Sequence, residues 1–153
     1  MKTILLLLLA TCCCFATTVP TDTTQTSPEA LVKASAEFQA LVRPLIPSTT
    51  VNGHRDPLGY RVDLLDKSAQ MLHGYWLGSK WAQKRQGTEK VNEWLHDSID
   101  LANTIKQGVQ EISAELIRRN VVQTDKGSFE KAGLTLLTEV DKYLADLNAG
   151  RFP

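Results

Sequence analysis

Apolar residues recur at intervals of three and four along four separate stretches of this chain of 153 residues. That spacing places them on one side of an α-helix, and no stretch keeps the alternation of two that a half-buried strand requires. The first helix is predicted to begin at Ser27-Pro28-Glu29, with a capping hydroxyl, a proline at the first helical position and a carboxylate near the positive end of the dipole. Pro44 and Pro47 end it. Its apolar stripe consists of Leu31, Ala34, Phe38, Leu41 and Leu45.

Three longer helices are predicted after a loop at residues 48–59. The second runs from about residue 58 towards 85, and the third follows a turn at Gly87-Thr88 and extends to Arg119. The fourth is capped by Ser128 and ends at Asn148 and Gly150. Their apolar stripes are Leu58, Val62, Leu65, Ala69, Leu72 and Trp76; Val91, Trp94, Leu101, Ile105, Val109, Ile112 and Leu116; and Phe129, Ala132, Leu136, Val140, Tyr143 and Leu147.

Four amphipathic helices with one narrow apolar stripe each predict an all-α fold. An antiparallel, up-down four-helix bundle over residues 28–150 is the simplest arrangement that buries all four stripes together. The predicted core takes residues from every helix: Phe38, Leu65, Leu72, Trp94, Leu101, Ile105, Leu136, Val140 and Tyr143.

The N-terminus has the pattern of a secretory signal peptide over residues 1–16. Lys2 precedes an apolar run from Ile4 to Leu9, and Cys14-Phe15-Ala16 provides a small-x-small cleavage site. The run is too short to span a bilayer. The protein is therefore predicted to be secreted and extracellular, and free of disulfides, because all its cysteines lie in this segment. Residues 17–27 are rich in threonine and are predicted to be a disordered leader.

Composition argues against several classes of function. The 17 basic and 17 acidic residues balance, so the chain has no overall positive field to attract nucleic acid. No second apolar run is long enough for a transmembrane segment. The sequence contains no Gly-x-Ser-x-Gly, phosphate loop or His-Glu-x-x-His motif. A protein that is not an enzyme and has no cofactor is the resulting expectation.

One group of residues on the third helix has the spacing of a metal site. Glu93, His96, Asp97 and Asp100 fall on one face, and Glu-x-x-His is half of the motif found in diiron bundles. The chain lacks the second Glu-x-x-His that such sites need. His96 also lies almost opposite the apolar stripe, so it should face water. We therefore predict no metal site.

An aromatic cluster lies where the second and third helices fold back on each other at Gly87. Trp76 and Trp94 are predicted to meet there, either as core residues or as the wall of an apolar pocket. Lys80 and Lys84 either pair with Glu93 and Asp97 or form a small patch for a membrane surface or phosphate. Trp81 lies off the apolar stripe and either packs on a fifth element or belongs to a contact surface. Gly74 and Gly78 mark either a break in the helix or a close approach to its backbone. The candidate ligand-binding residues are Tyr75, Trp76, Lys80, Lys84 and Trp94.

The C-terminal half resembles a known family. Residues 112–119 read Ile-Ser-Ala-Glu-Leu-Ile-Arg-Arg, and after a turn come Phe129-Glu-Lys-Ala-Gly133-Leu and a leucine-spaced helix. This looks like the fungal hydrophobic-surface-binding, or cell-wall galactomannoprotein, family, from which residues 75–81 and 120–127 depart. The resemblance implies a secreted helical bundle, and some members of that family hold fatty acids between helices.

Two functions are compatible with these features. The first is the non-enzymatic binding of a hydrophobic ligand or surface, with a fatty-acid-like chain between the second and third helices. Lys80 or Lys84 would then meet its carboxylate. The alternative is a secreted effector or cytokine-like protein that docks an extracellular partner protein. An internal cavity would favour the first function, and a filled core with an exposed apolar patch would favour the second.

Overall fold

A computed structural model describes residues 27–46, 56–85, 87–120 and 126–152. In these ranges the chain forms four α-helices and no strand: α1 (Glu29–Val42), α2 (Pro57–Arg85), α3 (Thr88–Arg118) and α4 (Lys126–Asn148). A short 3-10 helix, Arg43–Leu45, follows α1. The predicted all-helical bundle is thereby confirmed. None of the helices in these ranges has the length and apolar character needed to cross a membrane.

Two helix starts differ from the prediction. Pro28 is the capping residue of α1 and not its first helical residue. The Ser27 hydroxyl is still used, because it accepts a hydrogen bond of 3.2 Å from the Glu29 N–H. The fourth helix begins at Lys126, before the predicted cap at Ser128. A serine can form the first turn of a helix as well as cap it, so the residue type alone does not define this boundary.

The helices contact one another in a ring, in which α2 touches α1 and α3, and α4 touches α3 and α1. The apolar stripe predicted for α2 is buried throughout its length. Seven of the nine predicted core residues are at most 2% exposed: Phe38, Leu65, Leu72, Ile105, Leu136, Val140 and Tyr143.

Trp94 and Leu101 were wrongly assigned to the buried core, since both are only partly buried. At the level of Leu101 the neighbouring residue Ala102 is fully buried. Leu101 therefore packs at the edge of the core. Trp94 instead lies against α2 at Gly78.

Contacts join α2 and α3 over their whole length. Asp56, just before α2, binds Arg119, just after α3. Further along, Gly108 faces Leu65, and near the turn Gly78 faces Trp94. The chain reverses at Gly87, whose φ of +80° lies in the region that only glycine adopts readily. These contacts place the aromatic residues of both helices together next to the turn.

Candidate functional site

The turn between α2 and α3 is flanked by all three tryptophans of the chain. We call the segment from His73 to Ser98 the hairpin tip. The Tyr75 and Trp94 rings stack there, with centroids 6.2 Å apart and planes inclined by 19°. The Trp94 ring also lies on Gly78, where an added Cβ would come within 2.9 Å of it. Gly78 is thus the position of close approach that the sequence suggested, and the body that approaches is Trp94.

Trp76 is the most buried residue of this aromatic group, with 6% of its surface exposed. Its ring stacks with that of His73 at 6.1 Å. The Lys80 amine lies over the same indole ring, with Nζ 3.7 Å from the ring centroid. The indole Nε1 is buried and has no hydrogen-bond partner in the described structure. An unpaired buried donor is costly, so Trp76 Nε1 would gain from an acceptor supplied by a ligand.

The salt bridges proposed for Lys80 and Lys84 are not formed. Glu93 binds Lys90 on its own helix, at 2.6 Å. Among the described residues, no ion pair joins either lysine of α2 to Glu93 or Asp97. Neighbours three or four positions apart on one helix are already close, so these local contacts prevail over pairs between helices. Lys84 is exposed.

Each tryptophan has a cation four positions away on its own helix. Besides the Lys80–Trp76 pair, Arg85 lies 4.9 Å from the centre of the Trp81 ring. Lys90 lies 5.6 Å from that of Trp94. All three distances are within the range of cation–π attraction. The hairpin tip therefore combines aromatic surface with positive charge.

Two further polar groups are buried without a hydrogen-bond partner in the described structure, Ser98 Oγ and Tyr143 Oη. The neighbouring Ser98 hydroxyl lowers the pKa of Tyr143, although the two groups do not form a hydrogen bond of good geometry. Burial has the larger effect and raises the pKa of Tyr143 far above its usual range. Tyr143 also lines a cavity of about 50 Å³ with Ala30 and Leu31 of α1.

A larger cleft, about 490 Å³ in volume, lies at the opposite end of the α2–α3 pair. Its walls include Leu58 and three arginines. Each arginine is bound to a carboxylate. Arg61 binds Glu111, and Arg118 and Arg119 both bind Glu115. Sequence reasoning missed this cleft, because it treated the arginine pair only as a helix end. Its paired charges make it a less suitable anion site than the hairpin tip.

The described residues contain no group of three or more His, Cys, Asp or Glu side chains placed to hold a metal ion. His96 is exposed, as its position opposite the stripe predicted. Its neighbour Glu93 is bound to Lys90.

Comparison with protein-family models, curated proteins and solved structures gives no match for this chain. The resemblance to the fungal family therefore stays a prediction.

The two glycines of the hairpin tip provide a matched test of this packing. Nothing lies within 4 Å of a Cβ placed at Gly74. Gly74→Ala should therefore stabilise the protein by about 0.5–1 kcal/mol, because alanine is the better helix former. Gly78→Ala has the same propensity gain but must displace the Trp94 ring. We expect it to be at least about 1 kcal/mol less stable than Gly74→Ala in urea unfolding. Equal stabilities would contradict the Trp94–Gly78 contact.

Proposed function

We propose that the chain is a secreted, non-enzymatic, antiparallel four-helix bundle that binds a fatty-acid-like ligand at the hairpin tip. The order of contacts between α2 and α3 supports the antiparallel course. For α1 and α4, Phe38 contacts Phe129 while Leu31 shares a cavity with Tyr143, which supports opposite directions. For α3 and α4, the Lys106–Asp141 ion pair and the position of Gly133 opposite Ser113 support the same course. Secretion is supported by the N-terminal pattern, which lies outside the described residues.

The main support is that a buried hydrogen-bond donor and a cation lie together at Trp76. Its Nε1–H has no acceptor, and the Lys80 amine lies 3.7 Å from the centre of the same indole ring. A carboxylate could accept a hydrogen bond from the indole and form an ion pair with the lysine. A charge-assisted hydrogen bond of this kind is about twice as strong as one between neutral groups. Trp76 and Lys80 are thus suited to the head group of a fatty acid.

The apolar chain would lie between α2 and α3, beside Tyr75 and Trp94. The contact between the helices at this level consists of stacked rings packed on Gly78. The Trp94 ring is held there by the Tyr75 stack, by Gly78 and by Lys90, 5.6 Å from the ring centre, and a chain would enter by displacing the ring. Each enclosed CH₂ contributes about 0.8 kcal/mol. Half of a 16-carbon chain would then provide roughly 6 kcal/mol. Lys84 is exposed near the entrance and would orient the ligand more than it would strengthen binding.

The experiment is a palmitate titration of secreted protein, followed by tryptophan fluorescence. Edman sequencing of the same preparation should start at Thr17, which tests the signal peptide. Trp76→Phe keeps an aromatic ring but removes the N–H donor, and should weaken binding by about tenfold. Trp81→Phe is the matched control and should have little effect. Equal affinities for the two variants, or no palmitate response in the wild type, would refute this site.

The alternative, docking of a partner protein, is favoured by a separate observation. The α2 helix also exposes Tyr60, Leu64 and Met71, which are 66%, 40% and 48% exposed. Their spacing places them on one outward face. If palmitate has no effect but replacing Tyr60 and Met71 with serine abolishes binding to a partner isolated from the source organism, protein docking is the function.

A further inference from the structure

We propose that the outer face of the hairpin tip docks on an anionic lipid surface, with Leu77 and Trp81 as the apolar contacts. Lys84 and Arg85 would meet the lipid phosphates and carboxylates. This face lies beside the ligand site proposed at Trp76 and Trp94, and Lys84 is the one residue assigned to both. It would bring the protein to the surface in which free fatty acids accumulate.

The apolar part of this face is exposed on α2. Leu77 and Trp81 are both 51% exposed. They are four positions apart and therefore neighbours on one side of the helix, and Lys84 and Arg85 follow on the next turn. The Arg85 guanidinium lies 4.9 Å from the centre of the Trp81 ring. With the Arg85 guanidinium beside its ring, Trp81 combines apolar and charged surface, as do the residues that anchor proteins at membrane interfaces.

The face is accessible because α1 does not extend alongside it. Gln39 of α1 binds Asp66 of α2, at 3.4 Å, and Arg43 binds Asp63. Following α1 back from Gln39 to its start at Glu29 reaches the level of Trp76. The described part of α1 therefore ends before Trp81, which would be covered if α1 were one or two turns longer.

The fourth helix also ends before the turn. Lys106 of α3 binds Asp141 of α4, at 2.6 Å. From there α4 continues only to Asn148, which is level with Ile99 of α3. Beyond Trp76 and Ile99, α2 and α3 are thus flanked only by each other among the described helices. Nine residues of α2 past Trp76 extend about 14 Å.

The positive charge on the α2 side of the hairpin tip favours an anionic partner. Its α2 side carries Lys80, Lys84 and Arg85, and no acidic residue lies between Asp66 and Glu89. On the α3 side of the tip, Glu93 is bound to Lys90, and Glu89 and Asp97 are the two other acidic residues. The exposed apolar side chains of α2 therefore lie beside basic residues of the same helix, and the acidic residues of the tip are confined to α3. A second copy would bring like charges together, whereas an anionic lipid surface attracts them.

The test is co-sedimentation of the secreted protein with two kinds of vesicle, phosphatidylcholine alone or with about one-third phosphatidylserine, in about 0.1 M salt. We expect binding only to the anionic vesicles and its loss in about 0.5 M salt. Leu77→Ala/Trp81→Ala and Lys84→Glu/Arg85→Glu should each weaken binding by about tenfold or more. All four side chains are exposed, so these variants should keep the wild-type circular dichroism.

The matched controls lie on other helices. Leu134→Ala removes a side chain that is 67% exposed on α4, and Lys33→Glu reverses an exposed charge on α1. Both should bind vesicles like the wild type. Equal binding to neutral and anionic vesicles, or an unchanged affinity in the Trp81 variant, would overturn the proposal. So would a Trp81-dependent dimer that binds no vesicles.

The two proposals fail separately. Trp76→Phe should lose palmitate affinity but keep vesicle binding, and the Leu77/Trp81 variant should do the reverse. Palmitate is added as monomers and without vesicles, so surface docking does not contribute to that titration. Loss of both activities in every variant, together with a changed circular dichroism spectrum, would indicate misfolding. The same loss in folded variants would overturn the separation of the two sites.

Discussion

Phe38→Ala should lower the free energy of unfolding by about 3–5 kcal/mol, the usual effect of deleting a buried aromatic side chain. Phe38 is fully buried in α1. Its ring lies 5.6 Å from that of Phe129 in α4, and a Cβ at Gly133 would touch it at 3.4 Å. Alanine would leave a cavity where α1 meets α4, because the neighbouring helices cannot collapse fully into the space. Urea unfolding of both proteins measures the difference.

The matched control for this variant is Leu134→Ala, next to Gly133 on α4. Leu134 is 67% exposed. Its truncation should change the free energy of unfolding by less than about 0.5 kcal/mol. A Phe38 variant that lost less than about 1 kcal/mol would contradict the packing of α1 on α4. A control that lost as much as Phe38→Ala would mean that Leu134 is covered in solution.

Spacing along the chain was sufficient to predict the face that each helix buries. In α2 the positions Leu58, Val62, Leu65, Ala69, Leu72 and Trp76 are all buried, as the intervals of three and four require. The turn at Gly87 was also predictable, because few residues other than glycine adopt its positive φ. These features depend on one helix or one turn and need no knowledge of its neighbours.

The sequence predicted less well how far neighbouring helices bury each part of a helix. Trp94 lies on the apolar stripe of α3 but is only partly buried. Periodicity identifies the inward face, whereas burial also requires neighbouring helices that reach that level. The described helices α1 and α4 are shorter than α2 and α3 and do not extend past the level of Trp76 and Ile99. Trp81 is likewise exposed for this reason, although the sequence showed only that it lies off the stripe.

The sequence also did not predict which side chains contact each other. Lys80 was expected opposite Glu93, yet its amine lies over Trp76 and Glu93 binds Lys90. The order of residues shows which side chains can meet, but rotamers determine which of them do. The cleft near Arg119 was missed for the same reason, since it forms from residues far apart in the chain.

The two ends of the α2–α3 pair differ in how they are held. At the end near Arg119, carboxylates and guanidinium groups form ion pairs between the helices. At the hairpin tip, the contact consists of the Tyr75–Trp94 stack and the Trp94–Gly78 contact. A stacked ring can move with little loss of hydrogen bonding, whereas a charged network resists separation. We therefore expect the hairpin tip to open for a ligand while the opposite end stays closed.

The closed end depends on Arg119, and Arg119→Met should lower the Tm by roughly 3–6 °C at pH 6. The Arg119 guanidinium donates hydrogen bonds to Asp56 and Glu115, and so joins the start of α2 to the end of α3. Asp56 in turn accepts a bond of 2.8 Å from the Leu58 N–H and caps α2. Methionine keeps the apolar stem but removes the donors, leaving a partly buried carboxylate without its main partner.

Acid should reduce this difference in Tm. The Arg119 hydrogen bond lowers the pKa of Asp56, and bonds from Arg118 and Arg119 lower that of Glu115 to about 2. Both carboxyl groups release protons more readily when folded, so their stabilisation is present above the ordinary pKa near 4 and is lost as the pH falls towards 2. The variant lacks the Arg119 contribution, while Arg118 still acts on Glu115. Its Tm should therefore approach that of the wild type between pH 5 and about 2.

Arg43→Met is the matched control, because Arg43 binds Asp63 through side chains that are 50% and 37% exposed. Exposed pairs contribute about 0–1 kcal/mol, so this variant should differ from the wild type by no more than about 2 °C at pH 6. Calorimetry of the three proteins from pH 6 to pH 2 provides the measurement. If the Arg119 difference stayed constant down to pH 2, the arginine would act through packing alone, and its ion pairs would not be what closes this end of the bundle.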